Sequence, residues 1–160
     1  MARRVFFSFH YQRDNWKISQ IRNSNIVCSY ETPRYLDSAE WETVQRRGDA
    51  AIQNWINQQM VGTSVTVVLI GAETYTRKWV LYEIRESHKQ NKGLLGIRMT
   101  GMTERDQTID WSVGQDPFSY ANLVDAYGRP MTYPIYNWVS DNGRLNLGSW
   151  VEAAARAKGR

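Results

Sequence analysis

Apolar runs alternate with amphipathic stretches through the first hundred or so residues of the chain. Runs at 4–9, 64–70 and 94–98 are short and strongly apolar, and each predicts a strand. Helical periodicity marks about 38–60 and 77–90, and Gly48 can interrupt the first of these helices. Such alternation across short connections is typical of a parallel sheet covered on both faces. We therefore predict an α/β fold with a central, mostly parallel sheet.

The other predicted elements surround this pattern. A helix follows the first strand, N-capped by Asp14 or Asn15 and running to about residue 25, and a short strand is predicted at 26–30. Turn-rich loops begin after about residue 100 and include a short helix near 119–126. An edge strand is predicted at 133–139, and a final helix at 150–158 is capped by Ser149. No repeat or linker divides the chain. We interpret residues 1–160 as one domain, with its core motifs in 3–100 and with variable loops, an edge strand and a C-terminal helix in 101–160.

Composition narrows the class of protein. A length of 160 residues and a hydrophobic fraction of 42% fit one folded domain with a sizeable core. No apolar run reaches the roughly 20 residues that a membrane span needs, and the N-terminus lacks the cleavage site of a secretory signal. The single cysteine, Cys28, cannot form an internal disulfide and fits a reducing compartment. We expect a cytoplasmic protein with no membrane partner.

Charge and motifs exclude several kinds of site. The net charge of +4 comes from scattered basic residues, so we predict no nucleic-acid partner. One cysteine and two histidines argue against a zinc site, and we expect no metal. The chain has no G-x-G-x-x-G after the first strand, no P-loop and no G-x-S-x-G, so neither a Rossmann clamp nor an α/β-hydrolase nucleophile is predicted.

The segment 77–87 carries the strongest candidate chemistry. As a helix, it places Trp79, Glu83 and Ser87 one turn apart on a single stripe. The stripe begins just beyond the carboxyl end of the predicted strand at 64–70, where ligands bind in open α/β folds. Glu83 is therefore the candidate functional centre. The structural alternative is a surface acid beside a half-buried tryptophan on an ordinary amphipathic helix.

Three segments together resemble TIR-like domains: VFFSFHY at 5–11, VTVVLIG at 65–71 and RKWVLYEI at 77–84. The similarity is strongest to the TIR-like subunit of the bacterial Thoeris antiphage defence system and covers roughly residues 3–100. It implies a flavodoxin-like, three-layer TIR-type domain. It also implies an NAD glycohydrolase or ADP-ribosyl cyclase, which takes NAD as substrate and needs no cofactor. The expected product is a cyclic ADP-ribose-type signal that activates a partner effector.

The resemblance also assigns residues. The family's catalytic glutamate matches Glu83, and the tryptophan four residues before it matches Trp79. Loss of nicotinamide leaves an oxocarbenium-like ribose, which one carboxylate can stabilise without a metal. The candidate substrate-binding residues are Ser8, Phe9, His10, Asp37, Trp79 and Tyr82. The last two would form an apolar wall for nicotinamide or ribose, the first three would face the adenosine or diphosphate, and the aspartate either reaches the pocket or caps a helix.

Two other functions and one structural question stay open. A non-enzymatic TIR-like scaffold would bind another TIR surface, and self-assembly is compatible with either function. A receiver or flavin carrier is the second alternative, although the first strand ends in Ser-Phe-His-Tyr and lacks the clustered acids with which receivers hold Mg²⁺. Trp111, Trp138 and Trp150 lie beyond the matching segment. They either cover an interface or pocket, or fill a second small core.

Overall fold

The computed structural model describes residues 3–22 and 38–160. Asp37, Cys28 and the strand predicted at 26–30 lie outside the described residues. In chain order the elements are β1 (Val5–Ser8), α1 (Tyr11–Arg22), α2 (Ser38–Arg46), α3 (Asp49–Met60), β2 (Val65–Ile70), a 3₁₀ turn (Thr74–Thr76), α4 (Lys78–Lys89), β3 (Gly93–Arg98), β4 (Met102–Thr103), β5 (Ile109–Asp110), α5 (Pro117–Ala121), β6 (Ile135–Asn137) and α6 (Gly143–Arg156).

The described part of the central sheet has the order β1-β2-β3-β6, and all three of its pairings are parallel. Side chains alternate across β2, which is buried along its whole length. Val67 and Leu69 pack with α1 and α6 on one face, whereas Val68 and Ile70 pack with α4 and α5 on the other. The result is the predicted three-layer α/β fold, and the late strand β6 lies at the sheet edge as expected.

A third apolar cluster covers β1. Phe6 packs there against Ile52, Ile56 and Met60 of α3. The long helix predicted at 38–60 is divided into α2 and α3 at Gly48, whose φ of 93° is a backbone conformation that glycine adopts readily.

Three helices begin at other residues than predicted. α1 begins at Tyr11, so Asp14 lies inside the helix and does not cap it. α6 begins at Gly143, well before the predicted start at 150, because Leu147 is buried against the sheet. α5 covers Pro117–Ala121, where the carboxylate of Asp116 accepts a hydrogen bond from the Phe118 amide at 2.8 Å.

The short hairpin of β4 and β5 was predicted only as loops. It is fixed to α1 by Lys17, whose side chain is 1% exposed. The ammonium nitrogen lies 2.5 Å from Asp110 Oδ2, 3.1 Å from Glu104 Oε1 and 3.4 Å from Asp14 Oδ1. One buried cation thus attaches the last third of the chain to the first helix. None of the described helices is long and apolar enough to cross a bilayer.

Candidate active site

Glu83 and Ser8 meet between the last residue of β1 and the inner face of α4. The Ser8 hydroxyl donates a hydrogen bond to Oε2 of Glu83, and both side chains are buried. Val80, Glu83, Ile84 and Ser87 form the buried face of α4, so Glu83 points toward the sheet and is only 8% exposed. The structural alternative of a surface acid does not describe this glutamate.

Burial determines the acidity of Glu83. Burial of the carboxyl group raises its pKa and the hydrogen bond from Ser8 lowers it by less, so that the pKa is raised from 4.5 to about 8. Among the described residues no cation is paired with this carboxyl. The free protein therefore holds Glu83 mainly as a neutral acid near pH 7, in a place where a positively charged ligand would favour the carboxylate.

A second buried polar contact lies one helical turn further along α4. The hydroxyls of Thr66, on β2, and Ser87 are 2.7 Å apart, and both residues are fully buried. Together with the Ser8–Glu83 pair, this contact makes a polar interface between α4 and the first two strands. Thr66 was not a predicted site residue, because a threonine in an aliphatic strand carries no functional signal in the sequence.

Aromatic rings of α2, α3 and α4 pack together on the side of α4 that meets α3. The rings of Trp79 and Tyr82 contact edge to face with centroids 5.7 Å apart, and the Tyr82 hydroxyl donates to Asn57 Oδ1 at 2.9 Å. Trp41 and Trp55 form a similar pair at 5.9 Å between α2 and α3. These half-buried rings pack on the Phe6 cluster and give the site an apolar flank.

The chain itself fills the carboxyl end of β2. A side chain at Gly71 would collide with the Asp14 carboxylate, and one at Gly114 would collide with the Gly71 carbonyl oxygen. The Gly71 amide donates to Thr74 Oγ1 at 2.9 Å, and Arg98 Nε donates to the Gly114 carbonyl oxygen at 3.1 Å. The last third of the chain therefore packs directly against this end of the sheet.

Basic groups line the region between β1 and the N-terminus of α4. Arg77 is the N-cap residue of α4, and its Nη2 donates to Glu73 Oε2 at 2.9 Å. Arg13 Nη1 lies 4.0 Å from Oε1 of the same glutamate. Burial and the nearby Arg77 guanidinium lower the pKa of His10, whose buried Nδ1 has no hydrogen-bond partner in the described part of the chain. Arg77 was not singled out from the sequence, where it is one of many scattered basic residues.

The predicted site residues are thus distributed unequally. Ser8, predicted to contact the substrate, is in direct contact with Glu83, and the rings of Trp79 and Tyr82 pair with each other on the same helix as Glu83. Phe9 packs instead against the cluster on the α1 and α6 face of the sheet. Asp37 lies outside the described residues. No group of three or more His, Cys, Asp or Glu side chains that could hold a metal ion occurs in 3–22 and 38–160.

The motifs at the ends of β1 and β2 and on α4 all lie within the residues that match one protein family. The family described as "Thoeris protein ThsB, TIR-like domain" matches residues 6–104, which include Ser8, Trp79 and Glu83. The chain belongs to this family. The resemblance seen in the sequence is therefore confirmed for the ThsB-type TIR-like domain. The family match ends within the β4–β5 hairpin, so β6 and α6 lie beyond it.

A relative of the ThsB type extends the similarity through most of the chain. The protein named "Putative cyclic ADP-D-ribose synthase ThsB1", from Bacillus cereus (strain MSX-D12), is 33% identical over 153 residues. The alignment covers 94% of this chain and 72% of the relative. The name of that relative describes it as a cyclic ADP-D-ribose synthase.

Proposed function

We propose that this ThsB-type protein cleaves nicotinamide from NAD and joins the remaining ADP-ribose into a cyclic product that activates a partner effector in antiphage defence. The contact of Glu83 with Ser8 at the end of β1, flanked by Trp79 and Tyr82, carries the proposal. The family and the reaction named for the Bacillus relative support the same chemistry.

The cleavage step needs one negative charge and no metal. The bond between C1′ of the ribose and the nicotinamide ring breaks, and its electron pair goes to the ring nitrogen. Nicotinamide leaves as a neutral molecule, and positive charge develops on the ribose. An ionised Glu83 beside that ribose stabilises the charge, and the low polarity around the carboxyl strengthens the attraction.

The second step decides the product. Attack on C1′ by a nitrogen of the same molecule's adenine, with loss of a proton, closes a cyclic ADP-ribose. Attack by a ribose hydroxyl gives a cyclic isomer, and attack by water gives linear ADP-ribose. The rings of Trp79 and Tyr82 form the apolar flank that would keep water from the cation. The basic groups Arg77 and Arg13 lie where they could attract the diphosphate, and Glu73 already pairs with both.

A non-enzymatic interaction module is the competing function, and one observation favours it. Trp111 is 70% exposed, and the nearby Val113 and Val139 are exposed as well. Exposed aromatic and aliphatic side chains of this kind are common in protein interfaces. A scaffold would use this surface and would leave Glu83 as an ordinary buried acid.

Mass spectrometry of the products formed from NAD separates the two functions. The purified protein is incubated with NAD, with and without an extract of phage-infected cells, and nicotinamide, linear ADP-ribose and cyclic isomers are quantified. The proposal predicts equal amounts of nicotinamide and a cyclic ADP-ribose-type product in at least one condition. NAD that stays intact in both conditions would support the scaffold instead.

A further inference from the structure

We propose that Ser8 is the positioning residue of Glu83: its hydroxyl holds Oε2 and leaves Oε1 to face the substrate ribose. This inference rests on the proposed function, because it assigns the two oxygens of the same carboxyl group different tasks. The Ser8 bond is the one hydrogen bond that the Glu83 side chain makes within residues 3–22 and 38–160. Oε1 has no partner there, and it is not one of the fully buried unpaired polar atoms.

The backbone fixes the position of the Ser8 hydroxyl. Ser8 is the last residue of β1 and is paired in register with Val68 in the middle of β2. Its side chain is fully buried, so its hydroxyl has few directions in which to point. Glu83 lies on α4, which packs on β2 and β3 through Val80 and Ile84. A donor on a strand and an acceptor on a helix therefore meet in one geometry, which is what a site needs for preorganisation.

The packed elements offer Glu83 no other partner. β2 carries no titratable residue, and the titratable or charged side chains of the adjoining segments at this end are His10, Arg77, Lys78, Tyr82 and, on α3, Asp49; Arg77 pairs with Glu73. None of them is bonded to the Glu83 carboxyl, because Lys78 pairs with Asp49 and Tyr82 bonds to Asn57. Ser8 is therefore the described group that favours the ionised form of Glu83 over the neutral one.

The consequence for catalysis is that Glu83 releases its proton when the substrate binds. When the cationic nicotinamide riboside of NAD binds beside Oε1, its charge favours the carboxylate, and the Glu83 proton leaves to solvent. The Ser8 bond persists and becomes stronger, because its acceptor is then charged. Without Ser8, the carboxylate would lose its donor and its orientation together.

Two alanine variants test this assignment. Ser8→Ala removes the hydroxyl that bonds to Glu83. Ser87→Ala is the matched control, because it removes an equally buried hydroxyl of the same interface that bonds to Thr66 and not to Glu83. Two quantities are measured for each variant. One is the pH profile of kcat/KM with NAD; the other is the pKa of Glu83 in the free protein, from the pH dependence of the unfolding free energy with and without Glu83→Gln.

The expected result is specific to Ser8. Loss of a hydrogen bond to a charged group should move the pKa of Glu83 in the free protein, and the acidic limb of the kcat/KM profile, upward by about one to two pH units. Ser87→Ala should lower stability and leave both values in place. If Ser8→Ala does not fold, Ser8→Cys replaces it, since its weak S–H donor should give an upward shift of the same kind.

The remaining outcomes would contradict either the positioning role of Ser8 or the proposed function. Equal shifts in the Ser8 and Ser87 variants, or no shift in a folded Ser8 variant, would overturn the positioning role. Absence of NAD cleavage by the wild-type protein would overturn the proposed function alone. The titration of Glu83 in the free protein would then still decide whether Ser8 controls its ionisation.

Discussion

Replacement of Glu83 by glutamine should stabilise the protein as the pH rises. Its carboxyl group has a pKa of about 8 in the folded chain, against 4.5 when it is exposed to water. Between those values the folded protein retains a proton that the unfolded chain has released. Stability therefore falls as pH rises through this window. Glutamine does not titrate and is spared this loss.

The size of the effect follows from the shift. Each pH unit inside the window is equivalent to about 1.36 kcal/mol, so a group shifted from 4.5 to about 8 loses up to about 3 kcal/mol at pH 7. Glu83→Gln should accordingly be more stable than the wild type by up to that amount at pH 7, and by less than about 1 kcal/mol near pH 5. The sequence alone predicts a different result. A glutamate on the exposed face of an amphipathic helix changes stability by only about 0.5 kcal/mol when replaced by glutamine.

Urea unfolding at several pH values tests this prediction. Wild type, Glu83→Gln and Glu86→Gln are compared between pH 5 and pH 8. The second variant is the control, because Glu86 lies on the same helix outside its buried face. The difference between wild type and Glu83→Gln should grow steadily with pH, whereas the Glu86 variant should follow the wild type. A difference for Glu83→Gln that does not depend on pH would refute the reasoning about its burial.

Three further predictions concern side chains that lie in the last third of the chain or contact it. Lys17→Met should cost about 3–5 kcal/mol of unfolding free energy, because it leaves buried carboxylates without their cation; urea unfolding measures the loss. His88→Ala should cost about 1–3 kcal/mol in the same assay, because the imidazole bridges the Tyr133 hydroxyl and the Val124 carbonyl oxygen. If the exposed Trp111 surface serves self-association, light scattering should show oligomers of the wild type that Trp111→Ser abolishes; a monomer at every concentration would contradict self-assembly.

The sequence predicted the central sheet well. The continuous apolar run of β2 indicates a strand buried on both faces, and parallel topology brings the carboxyl ends of neighbouring strands to one edge. Ser8 and Glu83 were therefore expected at the same edge, and they are in contact there. The tryptophan pattern was less informative. Trp138 is buried in the main apolar cluster on the α1 and α6 face of the sheet, and Trp150 packs against the same cluster, stacked on Tyr136 with centroids 4.2 Å apart. These two tryptophans therefore do not form a second small core, and Trp111 is exposed.

The burial of Glu83 could not be predicted from helical spacing. Positions 79, 83 and 87 form one stripe of α4, and positions 80 and 84 form its neighbour. A polar residue next to an apolar stripe usually faces water, yet α4 turns both Glu83 and Ser87 toward the sheet. Partners on distant strands decide this orientation: Ser8 for the glutamate and Thr66 for the serine.

The β4–β5 hairpin escaped prediction for a related reason. Its strands have two residues each, too few to show an alternating pattern. It depends on the contact of Lys17 with Glu104 and Asp110, which are far from Lys17 in the sequence. Charged residues at such separations give no sign in the sequence that they will pair.

The rate of nicotinamide release from NAD by wild type, Glu83→Gln and Glu86→Gln tests the catalytic role of Glu83 most directly. All three proteins are assayed at equal concentration under the condition in which the wild type is active. Loss of one preorganised charge should slow the Glu83 variant about 100- to 1000-fold, although it is folded and at least as stable as the wild type. The Glu86 variant should retain nearly the full rate. Wild-type nicotinamide release by a folded Glu83→Gln protein would contradict the assignment of the active site.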